Sequence, residues 1–165
     1  MKKIGLLSDN HGFLDESILE HLKLCDEIWH AGDIGSMEVL ETLEREKPFR
    51  AVFGNIDGQG LRSALPEIQR FYCEKMDVMI KHIGGYPGNY DRSVRSILTH
   101  NPPDLFITGH SHIMKVMHDK KYDLLHINPG AAGRNGFHTV RTMVRFVING
   151  KKIRDLEVIE LGKRT

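Results

Sequence analysis

Cysteine is nearly absent: Cys25 and Cys73 are the only two in 165 residues, and no CxxC or Cys/His zinc pattern surrounds them. That leaves no disulfide framework and predicts two reduced thiols used for packing. Long apolar runs are missing too. None approaches the ~20 residues that span a bilayer, and the run behind the N-terminal lysines, Ile4 to Leu7, is far too short for a signal peptide. A cytoplasmic chain is the expectation. Charge of one sign is also lacking, since 23 basic against 22 acidic residues leave a net +1. No global field exists to gather nucleic acid or an anionic membrane. Linkers, internal repeats and low-complexity segments do not occur, so residues 1–165 read as one domain with a sizeable core.

Three further absences remove whole chemistries. A dinucleotide-binding turn needs several glycines after the first strand, and "SDNHG" (residues 8–12) has one. A haloacid-dehalogenase-type phosphotransferase needs a second Asp where His11 stands. A metallo-β-lactamase-like hydrolase needs an H-x-H-x-D-H run, and there is none.

Histidine, by contrast, is plentiful, with ten residues, and placement decides what they mean. Residues 2–7 predict a strand, and Asp15 caps a helix with Ile18, Leu19 and Leu22 on one face. A second strand covers 27–30. Ser36 then caps a helix carrying Met37, Leu40 and Leu43 inward and ending at Pro48. A third strand covers 49–53, which makes βαβαβ and hence a parallel sheet. Paired strands at 67–74 and 77–83 follow, then a helix with Val94, Ile97 and Leu98 inward. A strand at 105–108, strands near 113–118 and 123–128, and a final pair at 139–148 and 151–160 complete the chain. The last pair is hinged on Asn149-Gly150, a type I′ signal.

Asp9/His11, Asp33, Asn55, His82 and His110/His112 each stand just beyond one of these strands. Ligands of open α/β sheets collect outside the carboxyl ends of strands. Carboxylate oxygen and imidazole nitrogen together suit divalent first-row metals. Seven donors exceed what one catalytic metal takes from protein while keeping a position open. Two metals sharing a carboxylate would use them all, and Asp33, the lone acid at its strand end, is the natural bridge. Such a pair can clamp both sides of an in-line displacement at phosphorus and lower the pKa of a bridging water to supply hydroxide.

In order along the chain stand "DNH", "GDIGS", "GNID", "KHIGG", "GHSH" and a later "NPGA". This series resembles the calcineurin-like metallophosphoesterases, specifically their small bacterial and archaeal single-domain phosphodiesterase branch. The resemblance implies a two-sheet αββα sandwich, an α/β fold. It implies that Asp9, His11 and His112 hold one metal, that Asn55, His82 and His110 hold the other, and that Asp33 bridges. It implies Mn2+ as activator, with Ni2+, Fe2+, Zn2+ or Mg2+ as substitutes. It further implies catalytic roles for Asp33, Asn55 and His110, a substrate contact from Asn55, and a homodimer or homotetramer. Read from the residues themselves, Arg134 and Asn135 in the glycine-rich "GAAGRNG" loop could contact a substrate phosphate, or simply belong to an exposed loop. Larger members place a His after the Asn of G-N, where it can protonate the leaving oxygen. Here that position is Ile56, and losing a general acid typically costs on the order of a hundredfold or more. Asp57 beside two cations would be ionised and a poor substitute. The expectation is therefore a diester hydrolase and not a general monoesterase. The rival is a metal-poor scaffold similar to the small subunit of the retromer coat, but that scaffold has lost several histidines retained here.

Around this constellation, His30 is a candidate to orient a ligand, and His126 reads as a strand residue. His21, His118 and His138 read as surface or strand positions. Tyr86 and Tyr90 could stack on a base or aryl group, or simply pack.

Overall fold

The computed structural model describes residues 1–165. Strand β1 (Lys2–Leu7) parts its side chains by alternation: Ile4 and Leu6 enter one core, and Leu7 a second on the opposite face. Beside β1 lie β2 (Glu27–His30) and then β3 (Phe49–Ala51), all parallel. On the other side β11 (Val140–Asn149) and β12 (Lys152–Lys163) continue the sheet antiparallel, in the order β12-β11-β1-β2-β3.

A second five-stranded sheet runs β4-β5-β8-β10-β9. It uses β4 (Ile68–Cys73), β5 (Met76–Lys81), β8 (Leu105–Ile107), β9 (Lys115–Asp119) and β10 (Leu124–Asn128). The pairs β5–β8 and β8–β10 are parallel. The two sheets bury one apolar layer between them, including Ile4, Trp29 and Phe146 from the first and Val78, Ile107 and Ile127 from the second. Helices α1 (Glu16–Lys23), α2 (Met37–Glu46) and α3 (Gln59–Ala64) cover the outer face of the first sheet. Helix α4 (Arg92–His100) covers the second, over Met79, Phe106 and Leu124. This is the αββα sandwich.

Local chemistry sets the helix starts. The Asp15 carboxylate accepts from Ile18 N–H and the Ser36 hydroxyl from Val39 N–H, each satisfying an otherwise orphaned donor. Lys47, before Pro48, ends α2.

Three expectations need correction. Met37 is 41% exposed, and Val39, one turn before Leu43, takes the inward place. Strand β3 stops at Ala51, because the chain then turns to carry residues 54–57 to the site. Within the turn of the last hairpin only Gly150 has positive φ (64°), and Asn149 pairs with Lys152. The turn is therefore Gly150-Lys151 with glycine first, as type II′ requires, and not Asn149-Gly150 in type I′. Two short elements carried no periodic signal: α3, and a hairpin of β6 (Gly85–Tyr86) and β7 (Asn89–Tyr90).

Cys25 and Cys73 are free and buried, and burial pushes both thiols up. No helix is long and apolar enough to cross a membrane. His126, in β10, is fully buried, and burial pushes its pKa down to about 4. The unfolded chain takes up the proton near pH 6.5 and the folded chain only near 4, so this residue's contribution to stability is present at neutral pH and is lost on acidification between those values. The loss should reach about 2 kcal/mol by pH 5. Urea unfolding of the parent and His126→Phe at pH 7 and pH 5 checks it, because the variant should lose correspondingly less on acidification.

Candidate metal centre

The parallel strands β1, β2, β3, β5 and β8 all end at the same edge of the sandwich. The loops leaving them carry Asp9/His11, Asp33, Asn55, His82 and His110/His112. These loops are tied to one another by backbone bonds. Asp9 N–H donates to Gly32 O, His11 N–H to Asp33 O, and Gly109 N–H to His82 O. The "NPGA" loop closes the ring, with Ala132 N–H donating to Ser8 O and Gly133 N–H to Asp9 O.

Five of the seven candidate donors sit in left-handed backbone: Asp9 (φ 55°), His11 (48°), Asp33 (55°), His110 (70°) and His112 (60°). That conformation is uncommon for non-glycine residues and gathers at functional sites. Gly32 (φ 101°) is needed on two counts, since a Cβ there would also stand 2.6 Å from His82 Nδ1.

Two clusters result, one of Asp9, His11 and His112 and one of Asp33, His82 and His110, each with its donor atoms within 4.8 Å of one another. In the first, His112 Nε2 lies 3.2 Å and His11 Nε2 3.7 Å from Asp9 Oδ1. Asp33 Oδ2 stands between the clusters, 3.4 Å from His11 Nε2 and 3.1 Å from His82 Nε2. Asn55 Oδ1 is 3.1 Å from the same His82 nitrogen. His82 Nε2 reaches within 3.9 Å of Asp9 Oδ1, so the two sheets' donors do converge.

The polar accounting shows what is missing. Asp9 Oδ2 accepts from the Ser8 hydroxyl (2.6 Å) and from His110 N–H (3.1 Å). Its Oδ1 and His11 Nε2 are buried with no hydrogen-bond partner. His82 Nδ1 lies 2.7 Å from Ala31 O, so that nitrogen carries the proton and donates it. Its Nε2 lone pair then faces carboxylate and amide oxygens, acceptors all. A divalent cation satisfies such a convergence, and these residues fit one.

The charged groups of the site shift one another. Burial alone would raise the Asp9 carboxyl, but His11, His112, His82 and Ser8 hold it far below the usual range. Asp33 is also lowered, His82 outweighing burial. His11 is raised by Asp9, and His82 is raised by Asp33 and Asp9 despite its burial.

Supporting residues stand behind these. Buried His30 accepts Gly32 N–H at Nδ1 and bonds Asn10 Oδ1 through Nε2 (2.8 Å), joining the first two loops. Burial holds its pKa down to about 4, which keeps it the neutral ring this pairing needs. Asp57 accepts from Ile34, Gly35 and Gly54 N–H, locking the Asp33 loop to the Asn55 loop. Ile56 is half-exposed, and its N–H donates to Asp33 Oδ1. Arg134 is exposed, with its guanidinium 4.3 Å above the Phe13 ring, and neighbouring Asn135 brings its amide nitrogen 3.3 Å from His11 Nδ1.

Tyr90 is packing: buried, it donates to Asp119 Oδ2 (2.6 Å). Tyr86 remains open on the β6–β7 hairpin. His138, read from sequence as a surface or strand position, is half-buried and edge-on to His112 at 5.2 Å. It lies beyond the last motif, where no spacing signal reaches. Two grooves flank His110. One of about 330 Å³ runs past Ser111 and Tyr86 to Arg92 and Arg95. The other, about 490 Å³, runs past His112 to Phe137 and His138.

Comparison with known proteins agrees with this geometry. The chain is 28% identical to a probable metallophosphoesterase of Methanothermobacter thermautotrophicus, covering 96% of this chain and 92% of that protein. It is 30% identical to one from Methanocaldococcus jannaschii, over 78% of this chain and 67% of the relative. Among solved structures, an archaeal phosphodiesterase superposes with a TM-score of 0.74 at 23% identity, covering 95% and 99% of the two chains. Vps29 of Chaetomium thermophilum superposes at 0.75 with 14% identity, covering 99% and 100%. At those identities the structures speak for the fold alone. Residues 1–151 match the calcineurin-like phosphoesterase superfamily domain, and the chain belongs to that superfamily.

Proposed function

We propose that this chain is a phosphodiesterase that works with two divalent metal ions on a small phosphorylated substrate. Asp9, His11 and His112 would hold one ion and Asn55, His82 and His110 the other, with Asp33 shared. The observation that carries this reading is the acceptor-only face of His82: a ring whose proton is committed to Ala31 O, turned towards Asp33 and Asn55. Ions held there, Mn2+ first by family resemblance, supply Lewis acidity at phosphorus and hydroxide from water near neutral pH.

The chain's own groups do the positioning. Asp33 is fixed through Oδ1 by Ile56 N–H, which aims Oδ2 between His11 and His82. The Asn55 amide nitrogen is free to donate to a phosphoryl oxygen, and Arg134 offers a cation from the His11 side. The grooves on either side of His110 give room for the two arms of a diester. No proton donor stands beside Asn55: Ile56 has none, and both Asp57 oxygens are taken by backbone N–H groups. A leaving group must therefore depart largely unassisted, which favours diesters with good leaving groups over alkyl monoesters.

The test strips metal and restores Mn2+, Ni2+, Mg2+ or Zn2+ singly, following an aryl phosphodiester and an aryl phosphomonoester. The diester should be cleaved faster, and most with Mn2+. A strong monoester preference would overturn the leaving-group argument. Metal retention alone decides nothing, because a Vps29 from Entamoeba histolytica has been solved with Zn2+. Bound metal with turnover of neither ester would mark a protein-binding scaffold.

A further inference from the structure

A second cavity, of about 200 Å³, lies between the β6–β7 hairpin and strands β9 and β10, outside both donor clusters. The hairpin is seated there by Thr108, whose hydroxyl bonds Gly85 O (3.3 Å). The cavity shares Gly85, Tyr86 and Ser111 with the groove that starts at His110, so it adjoins that groove beside the candidate metal centre.

Its polar lining is one-sided. His126 reaches it from β10, fully buried, and neither ring nitrogen has a hydrogen-bond partner. Buried polar groups are ordinarily bonded, so an orphaned ring in a cavity wall marks a place where something else completes it. Lys115 stands in the wall with its ammonium 4.4 Å from the Tyr86 ring centre and no carboxylate partner. Ser111 Oγ accepts from Ile113 N–H and Asn128 Nδ2, which leaves its own proton to give. The Asn128 amide is spent on Gly109 O, Ser111 Oγ and Gly130 N–H. No Asp or Glu lines the cavity. Three donors, one of them a cation, face a space without acidic groups, and the complement of that set is an oxyanion.

We propose that this cavity is an oxyanion subsite that takes a distal phosphate or carboxylate of the substrate whose scissile ester lies at the metal centre. Lys115 supplies the charge, His126 and Ser111 each donate one hydrogen bond, and Tyr86 lines both spaces. The inference rests on the phosphodiesterase reading for the identity of the occupant, but not for the existence of the subsite.

Two measurements on the full chain separate these. Inorganic phosphate is titrated into the metal-free protein by calorimetry, with Lys115→Gln and His126→Phe as comparisons. Saturable binding should weaken about tenfold in each variant, and thermal melts confirm that both remain folded. Next, the metal-loaded protein is given two aryl diesters that differ only in a terminal phosphate on the arm that is not released. The parent should favour the phosphorylated one in kcat/KM by about tenfold, and Lys115→Gln should bring that ratio near one. Phosphate binding that ignores both substitutions, or none at all, overturns the subsite. Binding that depends on Lys115 without any discrimination between the diesters overturns the substrate assignment and leaves a site for free oxyanion. Turnover of neither diester would sink the phosphodiesterase reading, while the titration still decides the subsite.

Discussion

Replacing Asp33 by Asn should slow cleavage of an aryl phosphodiester by about a thousandfold and leave the purified chain with less than its full metal complement. The substitution is nearly isosteric. The amide oxygen can keep the bond from Ile56 N–H, so the loop after β2 retains its shape. What disappears is one negative charge at the point between His11 and His82, where Oδ2 approaches both imidazoles. Two divalent cations brought close together repel strongly, and a shared carboxylate is the group that offsets this. Metal content by mass spectrometry and initial rates measured at saturating Mn2+ give the two readings. Parent-like occupancy of both sites would remove Asp33 as the bridge, whatever the rate.

Asp57→Ala should act through the fold. This carboxylate accepts three backbone N–H bonds, from Gly54 (2.8 Å), Gly35 (2.9 Å) and Ile34 (3.2 Å). It is nearly inaccessible, so alanine would strand those donors away from water. Each lost charge-assisted bond to a buried group costs on the order of 1–3 kcal/mol, and water entering the gap returns part of it. A net loss of about 4 kcal/mol corresponds to roughly 10 °C in Tm for a chain of this size. The metal-free protein is the one to melt, since bound ions would mask the effect. Asp57→Asn, which keeps one acceptor oxygen, should recover part of the loss. A fall of under about 2 °C in the alanine variant would show that the brace is not needed.

Sequence legibility followed the length scale of each physical signal. Motifs at strand ends were readable because each pairs a residue able to bind metal with a glycine or a turn beside it, as in "GDIGS" and "GHSH". Caps were readable for the same reason: Asp15 and Ser36 act on N–H groups three residues away. Met37 was misplaced because the first residue of a helix has no preceding turn to fix its face, and Val39 filled the core instead. The Gly150 turn was misread by one position because the register across β11 and β12 decides which pair forms the loop. Helix α3 and the β6–β7 hairpin are too short for any period to show. His126 and His138 gained their surroundings only from tertiary structure: a cavity beneath a hairpin in one case, an edge contact with His112 in the other.

The seven candidate donors are drawn from both sheets: four follow β1, β2 and β3, and three follow β5 and β8. A cation seated among them would rivet the halves of the sandwich together at one rim, in a molecule whose two thiols are unpaired. Ligation favours the docked halves over the unfolded chain by mass action, about 2.7 kcal/mol at a hundredfold excess over Kd. Heat tolerance would then become a function of the surrounding metal supply, and starvation for the ion would loosen the molecule at the same rim to which the proposed chemistry is assigned.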